Sequence, residues 1–139
     1  MEGLGQALTC VIDSSVVVEF LIGTGPVSQW AGDLISSEEL VAPYFMQAET
    51  ANLLRRAALF REVSQRRASQ AHDELLLLKV MPFPYFPYGQ RIWQLRSNVT
   101  VYDAWYVALA EDLGVPLATI DGNLIRSPGP RCQFLTFPA

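Results

Sequence analysis

Residues 8–12 (LTCVI) and 116–120 (PLATI) are short apolar runs without alternation, and each is followed directly by an aspartate, Asp13 and Asp121. A strand with one face in water alternates apolar and polar side chains. A continuous run instead suits a strand covered on both faces, as in a parallel sheet with helices on either side. Three further stretches read as strands: 39–42, 76–81 ahead of Pro82, and 133–137. Between them the spacing predicts helices over 14–22, 27–36, 43–60, 64–75 and 101–113, with a shorter one near 87–95. Gly23 and Gly25 end the first helix, and Gly114 followed by Pro116 ends the last long one. Pro43 would open the third, where its missing N–H costs nothing. Strands alternating with helices imply right-handed βαβ crossovers. The expected fold is α/β, a three-layer α/β/α sandwich with a central parallel sheet, formed as one domain over residues 1–139.

Composition narrows the function classes. Half of the residues are apolar and 17% are charged, which describes a chain with a core and excludes a disordered one. No apolar run approaches the roughly 18 residues of a membrane span. No basic segment followed by an apolar one opens the chain, so a cytoplasmic location without membrane contact is expected. Cys10 and Cys132 stand in apolar surroundings near opposite ends of the chain and read as small core residues. His72 falls in a charged helical stretch beside Asp73 and Glu74 and reads as a surface residue.

The net charge of −4 is opposite to the basic footprint that phosphate binding usually leaves. It fits a basic partner, or an acidic site that a cation neutralises. Five of the ten basic residues nevertheless cluster: Arg55, Arg56, Arg61, Arg66 and Arg67. They form either a solvated helix surface or a local patch for phosphates or an acidic partner.

Four acids stand out by position. In parallel sheets, ligands bind beyond the carboxyl ends of the strands. Asp13 and Asp121 sit at two such ends. Taken singly, the first is an ordinary helix N-cap and the second an Asp-Gly turn. Glu49 lies within a helix among Phe45, Met46, Asn52 and Leu53, and a carboxylate on such a stripe is costly unless paired, hydrogen-bonded or metal-bound. Asn52 is its polar companion and a candidate hydrogen-bond partner. Asp103 follows Thr100 by three residues, a capping-box spacing, but its neighbours Val101, Tyr102, Trp105 and Tyr106 suggest a helix start packed into the protein. Together the four acids can converge on one sheet edge. Clustered carboxylates repel unless a cation sits among them. Magnesium takes such hard oxygen ligands and activates water toward phosphorus.

The ordered segments around Asp13 (CVIDSS), Glu49 (APYFMQAETANLLRR), Asp103 (TVYDAWYVALA) and Asp121 (PLATIDGN) resemble the motifs of PIN domains across nearly the whole chain. At this length the chain is most similar to the VapC toxins of toxin–antitoxin pairs. That resemblance implies a magnesium- or manganese-dependent endoribonuclease that cuts RNA, forms a homodimer and is neutralised by a VapB-type antitoxin. It carries Asp13, Glu49, Asp103 and Asp121 over as catalytic metal ligands, with Ser14 and Thr119 as supporting polar groups. Arg55 and Arg56, further along the Glu49 helix, are candidate contacts to the RNA backbone. The stretch 82–88 (PFPYFPY) departs from the pattern: it unsettles the helix before Asp103, and offers either a loop on the core or aromatics for a partner or for RNA bases.

Other readings fit less well. A phosphoacceptor receiver domain needs adjacent acids after its first strand and a lysine at a later strand end. Here one acid follows that strand, and Lys79 is the only lysine. A haloacid-dehalogenase-type phosphatase needs Asp-x-Asp, whereas Asp13 is followed by Ser14 and Ser15. A non-catalytic binding module on the same fold remains as the alternative, and it requires no metal affinity.

Overall fold

A computed structural model of the chain describes residues 8–138. The opening stretch read above for a leader segment therefore lies largely outside the described residues. Five strands form one sheet in the order β3-β2-β1-β4-β5, with every neighbouring pair parallel. The strands are β1 (Thr9–Ile12), β2 (Glu39–Pro43), β3 (Val80–Phe83), β4 (Leu117–Ala118) and β5 (Phe134–Leu135). The helices are α1 (Ser14–Ile22), α2 (Pro26–Ser37), α3 (Met46–Leu59), α4 (Gln65–Leu77), α5 (Gly89–Gln94), α6 (Val101–Leu113) and α7 (Gly122–Arg126).

The chain winds from β1 outward through β2 to β3, then returns to the other side of β1 for β4 and β5. Right-handed crossovers place the helices of the two halves on opposite faces, which gives three layers. Helix α1 packs against α2, α3 and α4, while α6 packs on β1, β2 and β4 and carries α5. Strand β1 is thus central and covered on both sides. Its Val11 and Ile12 are fully buried, as its unbroken apolar run requires. The winding reverses between β1 and β4, so a crevice opens at their carboxyl ends.

Several boundaries differ from the sequence expectations. The run 76–81 is not one strand: α4 continues through Leu77 and β3 begins at Val80. Ala68, Ala71 and Leu75 form a buried helical stripe, while Leu76 and Leu77 point outward and stay exposed. Pro82 lies within β3, which tolerates it because β3 is an edge strand with a row of unpaired N–H positions. Pro43 closes β2, and α3 starts three residues later at Met46. The expected helix at 87–95 appears as a 3-10 turn, Phe86–Tyr88, running into α5. Strands β4 and β5 keep only two residues each of the longer runs expected. Asp121 opens α7 rather than a simple turn, because its Oδ1 accepts the backbone N–H groups of Asn123 (3.0 Å) and Leu124 (3.4 Å).

Candidate metal centre

Asp13 follows the last residue of β1, and its backbone N–H donates to the Ala118 carbonyl at 3.0 Å, so it stands where the winding reverses. It occupies the N-cap position of α1, yet its side chain makes no capping hydrogen bond. The carboxylate turns inward and is 5% exposed. Its Oδ2 accepts the hydroxyls of Thr119 (2.6 Å) and Ser15 (2.9 Å), and Ser14 Oγ lies 3.4 Å from Oδ1. Burial raises its proton affinity, and the Thr119 and Ser15 hydroxyls work against that rise. Thr119 also accepts the Asp121 backbone N–H at 3.0 Å, so one hydroxyl ties the ends of β1 and β4 together.

Glu49 is half-buried in the first turn of α3. Its Oε1 accepts two hydroxyls, Ser14 Oγ at 2.6 Å and Tyr106 Oη at 2.9 Å. Asp103 lies in the first turn of α6, where the Thr100 hydroxyl caps its backbone N–H at 3.1 Å. Its carboxyl is pushed up to about 6, first by burial and then by the negative charges of Asp13, Asp121 and Glu49. A carboxyl that feels the other three so strongly shares one space with them.

Among the described residues, no three acidic, histidine or cysteine side chains are drawn tightly enough together to form a closed metal cage. The chemistry of the donor set still suits a hard divalent cation. It consists of carboxylates with supporting hydroxyls, and it carries surplus negative charge at Asp103. Magnesium keeps several waters and needs only one or two carboxylates directly, so an open arrangement of this kind fits it or manganese.

The other expected site residues divide. Ser14 and Thr119 are in the cluster, bonded to Glu49 and Asp13. Asn52 is not: it is exposed, and its Oδ1 accepts from Arg55 Nη1 at 3.3 Å rather than serving Glu49. Three residues on from Glu49, it falls on the outer side of the stripe. Arg55 and Arg56 are both exposed. Arg56, seven residues or about two turns beyond Glu49, falls on the same helix face, and Arg55 does not. Arg61 and Arg66 are solvated, while Arg67 donates to the Leu21 carbonyl and pairs with Glu74 at 3.6 Å.

The start of α6 is less enclosed than expected, with Tyr102 60% exposed. Phe45 fills the space behind it, its ring 5.3 Å from that of Tyr102 and 5.2 Å from those of Trp105 and Tyr106. Within 82–88, Tyr88 is buried against Phe83 while Phe86 projects into solvent. Two residues of the cluster, Ser15 and Tyr106, escaped the sequence reading. For Tyr106 one signal existed, its place three residues after Asp103 on the same face of α6.

The PIN domain family matches residues 10–129. The chain belongs to this family. The PIN domain is also 42% identical over 125 residues to Ribonuclease VapC1 of Mycobacterium tuberculosis, covering 89% of this chain and 94% of the relative. Its fold is similar to the crystal structure of PAE2754 from Pyrobaculum aerophilum, with a TM-score of 0.68, 23% identity, and 95% and 91% of the two chains covered. It is also similar in fold to VapBC2 from Rickettsia felis bound to a DNA fragment from their promoter, with a TM-score of 0.63 and 11% identity over 94% of this chain and all of that one.

Proposed function

We propose that this PIN domain is a divalent-cation-dependent endoribonuclease and the toxin of a VapBC-type toxin–antitoxin pair. The observation that carries the reading is the buried Asp13 at the switch point, with Glu49, Asp103 and Asp121 turned toward the same space. The 42% identity to Ribonuclease VapC1 supplies the substrate class. Asp13, Glu49, Asp103 and Asp121 would hold the cation, magnesium or manganese, directly or through water. When bound, such a cation lowers the pKa of water and offsets charge on the scissile phosphate.

The chain's own residues prepare the site for it. Thr119 and Ser15 fix the Asp13 carboxylate, so little freedom is lost when it binds. Ser14 and Tyr106 do the same for Glu49. Among the described residues Asp103 has no such pair of hydroxyls, and its carboxyl, pushed up by burial and by the neighbouring acids, is relieved by a nearby cation. Arg56 stands ready for the RNA backbone. A VapB-type antitoxin as partner, a homodimer and action in the cytoplasm belong to the same reading. An acidic site in a chain of charge −4 suits a basic side chain from the antitoxin.

The test is cleavage of total cellular RNA by purified, antitoxin-free protein with Mg2+ or Mn2+, and again with EDTA. Discrete fragments that require the cation are expected. A folded protein that cuts nothing with either ion would leave the non-catalytic binding module as the better reading. A second measurement addresses Arg56. Arg56→Ala is expected to weaken RNA binding about 3–10-fold and to reduce its salt dependence by about one released counterion. Mn2+ affinity should be unchanged, and Arg55→Ala should do less. Equal RNA affinity for Arg56→Ala and wild type would remove that contact.

A further inference from the structure

Tyr106 is completely buried in α6, and a buried phenol needs a partner for its hydroxyl. It has two. The Ser14 backbone N–H reaches its oxygen at 3.3 Å, and Glu49 Oε1 lies at 2.9 Å. A backbone N–H can only donate, so the phenol accepts from Ser14 and its single proton goes to Glu49. The Ser14 hydroxyl is 2.6 Å from the same Glu49 oxygen and 3.4 Å from Asp13, which directs its proton to Glu49 as well. Both donors therefore converge on Oε1. No hydrogen bond to Oε2 exists among the described residues.

The ring has no freedom to leave this arrangement. Phe45, the residue before α3, packs edge-on against it, with centroids 5.2 Å apart and planes at 69°. One hydroxyl thus links the start of α1, the first turn of α3 and the turn of α6 that follows Asp103. These are the elements that carry Asp13, Glu49 and Asp103.

We propose that Tyr106 is the positioning residue of the metal centre: with Ser14 it saturates Oε1 of Glu49 and leaves Oε2 as the oxygen free for the cation. This rests on the metal-centre reading above.

Tyr106→Phe keeps the ring and removes one oxygen. The measurement is Mn2+ binding to RNA-free, antitoxin-free protein, followed by the electron paramagnetic resonance of free Mn2+. An affinity loss of about 10-fold is expected, in the range seen when a group that orients a metal ligand is removed. In cleavage assays kcat should fall, KM for RNA should stay within about twofold, and high Mn2+ should restore part of kcat. Ser14→Ala, which removes the other donor, should act in the same direction. The decisive step is the double variant: once Glu49→Gln has weakened Mn2+ binding, adding Tyr106→Phe should weaken it no further. Unchanged Mn2+ affinity in Tyr106→Phe would overturn the proposal. So would fully additive losses in the double variant, which would mean that Tyr106 acts other than through Glu49. A wild-type protein that binds no Mn2+ would instead overturn the metal-centre reading itself, and this inference with it.

Discussion

Asp103→Asn is expected to abolish RNA cleavage and at the same time to raise the melting temperature of the cation-free protein. The two effects share one cause. The Asp103 carboxylate is partly buried and faces Asp13, Asp121 and Glu49, so its ionised form is unfavourable in the fold until a cation arrives. Asparagine keeps the shape and removes the charge. Cleavage should fall at least about a hundredfold, as when a group that stabilises transition-state charge is lost. Stability in EDTA near pH 7 should rise by about 1 kcal/mol, or roughly 3–5 °C, after allowance for solvent screening.

The pH dependence follows with a definite sign. The folded Asp103 carboxyl sits at about 6 against an ordinary 3.8, so the folded state takes up its proton first as pH falls. The cation-free wild type should therefore gain stability relative to Asp103→Asn as pH falls below 7, so the gap between them should narrow by pH 5 and close only near the ordinary value of 3.8. Cleavage by wild type should decline through the same window, because a proton then competes with the cation. Thermal unfolding in EDTA and initial cleavage rates from pH 5 to 8 read both trends. A melting temperature that drops in Asp103→Asn would mean that Asp103 supports the fold and not a charged site.

Arg91→Ala is expected to be the most destabilising polar substitution away from that site. Arg91 in α5 grips Glu111 in α6 with two bonds, Nε–Oε1 at 2.7 Å and Nη2–Oε2 at 3.1 Å, and its Nη2 also reaches the Gly129 carbonyl at 2.9 Å. The Arg131 N–H donates to the same Glu111 carboxylate at 2.7 Å. The pair joins α5, α6 and the segment leading to β5. Both side chains are mostly covered, at 23% and 16% exposure, so removing the cation strands a poorly solvated carboxylate. The expected cost is about 2–4 kcal/mol, somewhat below that of breaking a fully buried pair. Burial alone would raise the Glu111 carboxyl, but the Arg91 guanidinium and the Arg131 N–H more than reverse this and hold it below 4.5. Its contribution is therefore present above that ordinary value and lost as pH falls through the lowered one, so wild type and Arg91→Ala should converge in acid. Urea unfolding at pH 7 and in acid measures the difference. Glu111 lies eight residues after Asp103, about 12 Å along α6, so Mn2+ affinity should not change.

What was legible in the sequence was whatever local chemistry alone decides. Helix α6 runs over the expected residues because Thr100 caps one end and Gly114, with a φ of 67°, closes the other. Strand β1 is legible because its buried part, Cys10 to Ile12, is covered on both faces and leaves no room for a polar residue before Asp13. The misreadings arose where a distant contact overrode a local rule. Pro82 looks like a strand terminator, yet an edge position spares its missing N–H. The leucines at 76–78 look like a strand until Ala68, Ala71 and Leu75 are seen packing as one helical stripe. The candidate site divides in the same way. The four acids announce themselves because each follows a strand or interrupts an apolar stripe. Tyr106 and its bond to Glu49 span 57 residues of chain, and no local spacing encodes them. Asn52 shows the reverse error, since the stripe that suggested it faces Glu49 turns it to solvent.

The most direct measurement is anomalous X-ray scattering from a crystal of the antitoxin-free protein soaked in Mn2+. A peak within bonding distance of Asp13 and Asp103 oxygens, with Glu49 and Asp121 facing it directly or through water, is the expected result. Manganese-dependent RNA cleavage from a protein whose only anomalous peak lies away from these four carboxylates would contradict the assignment.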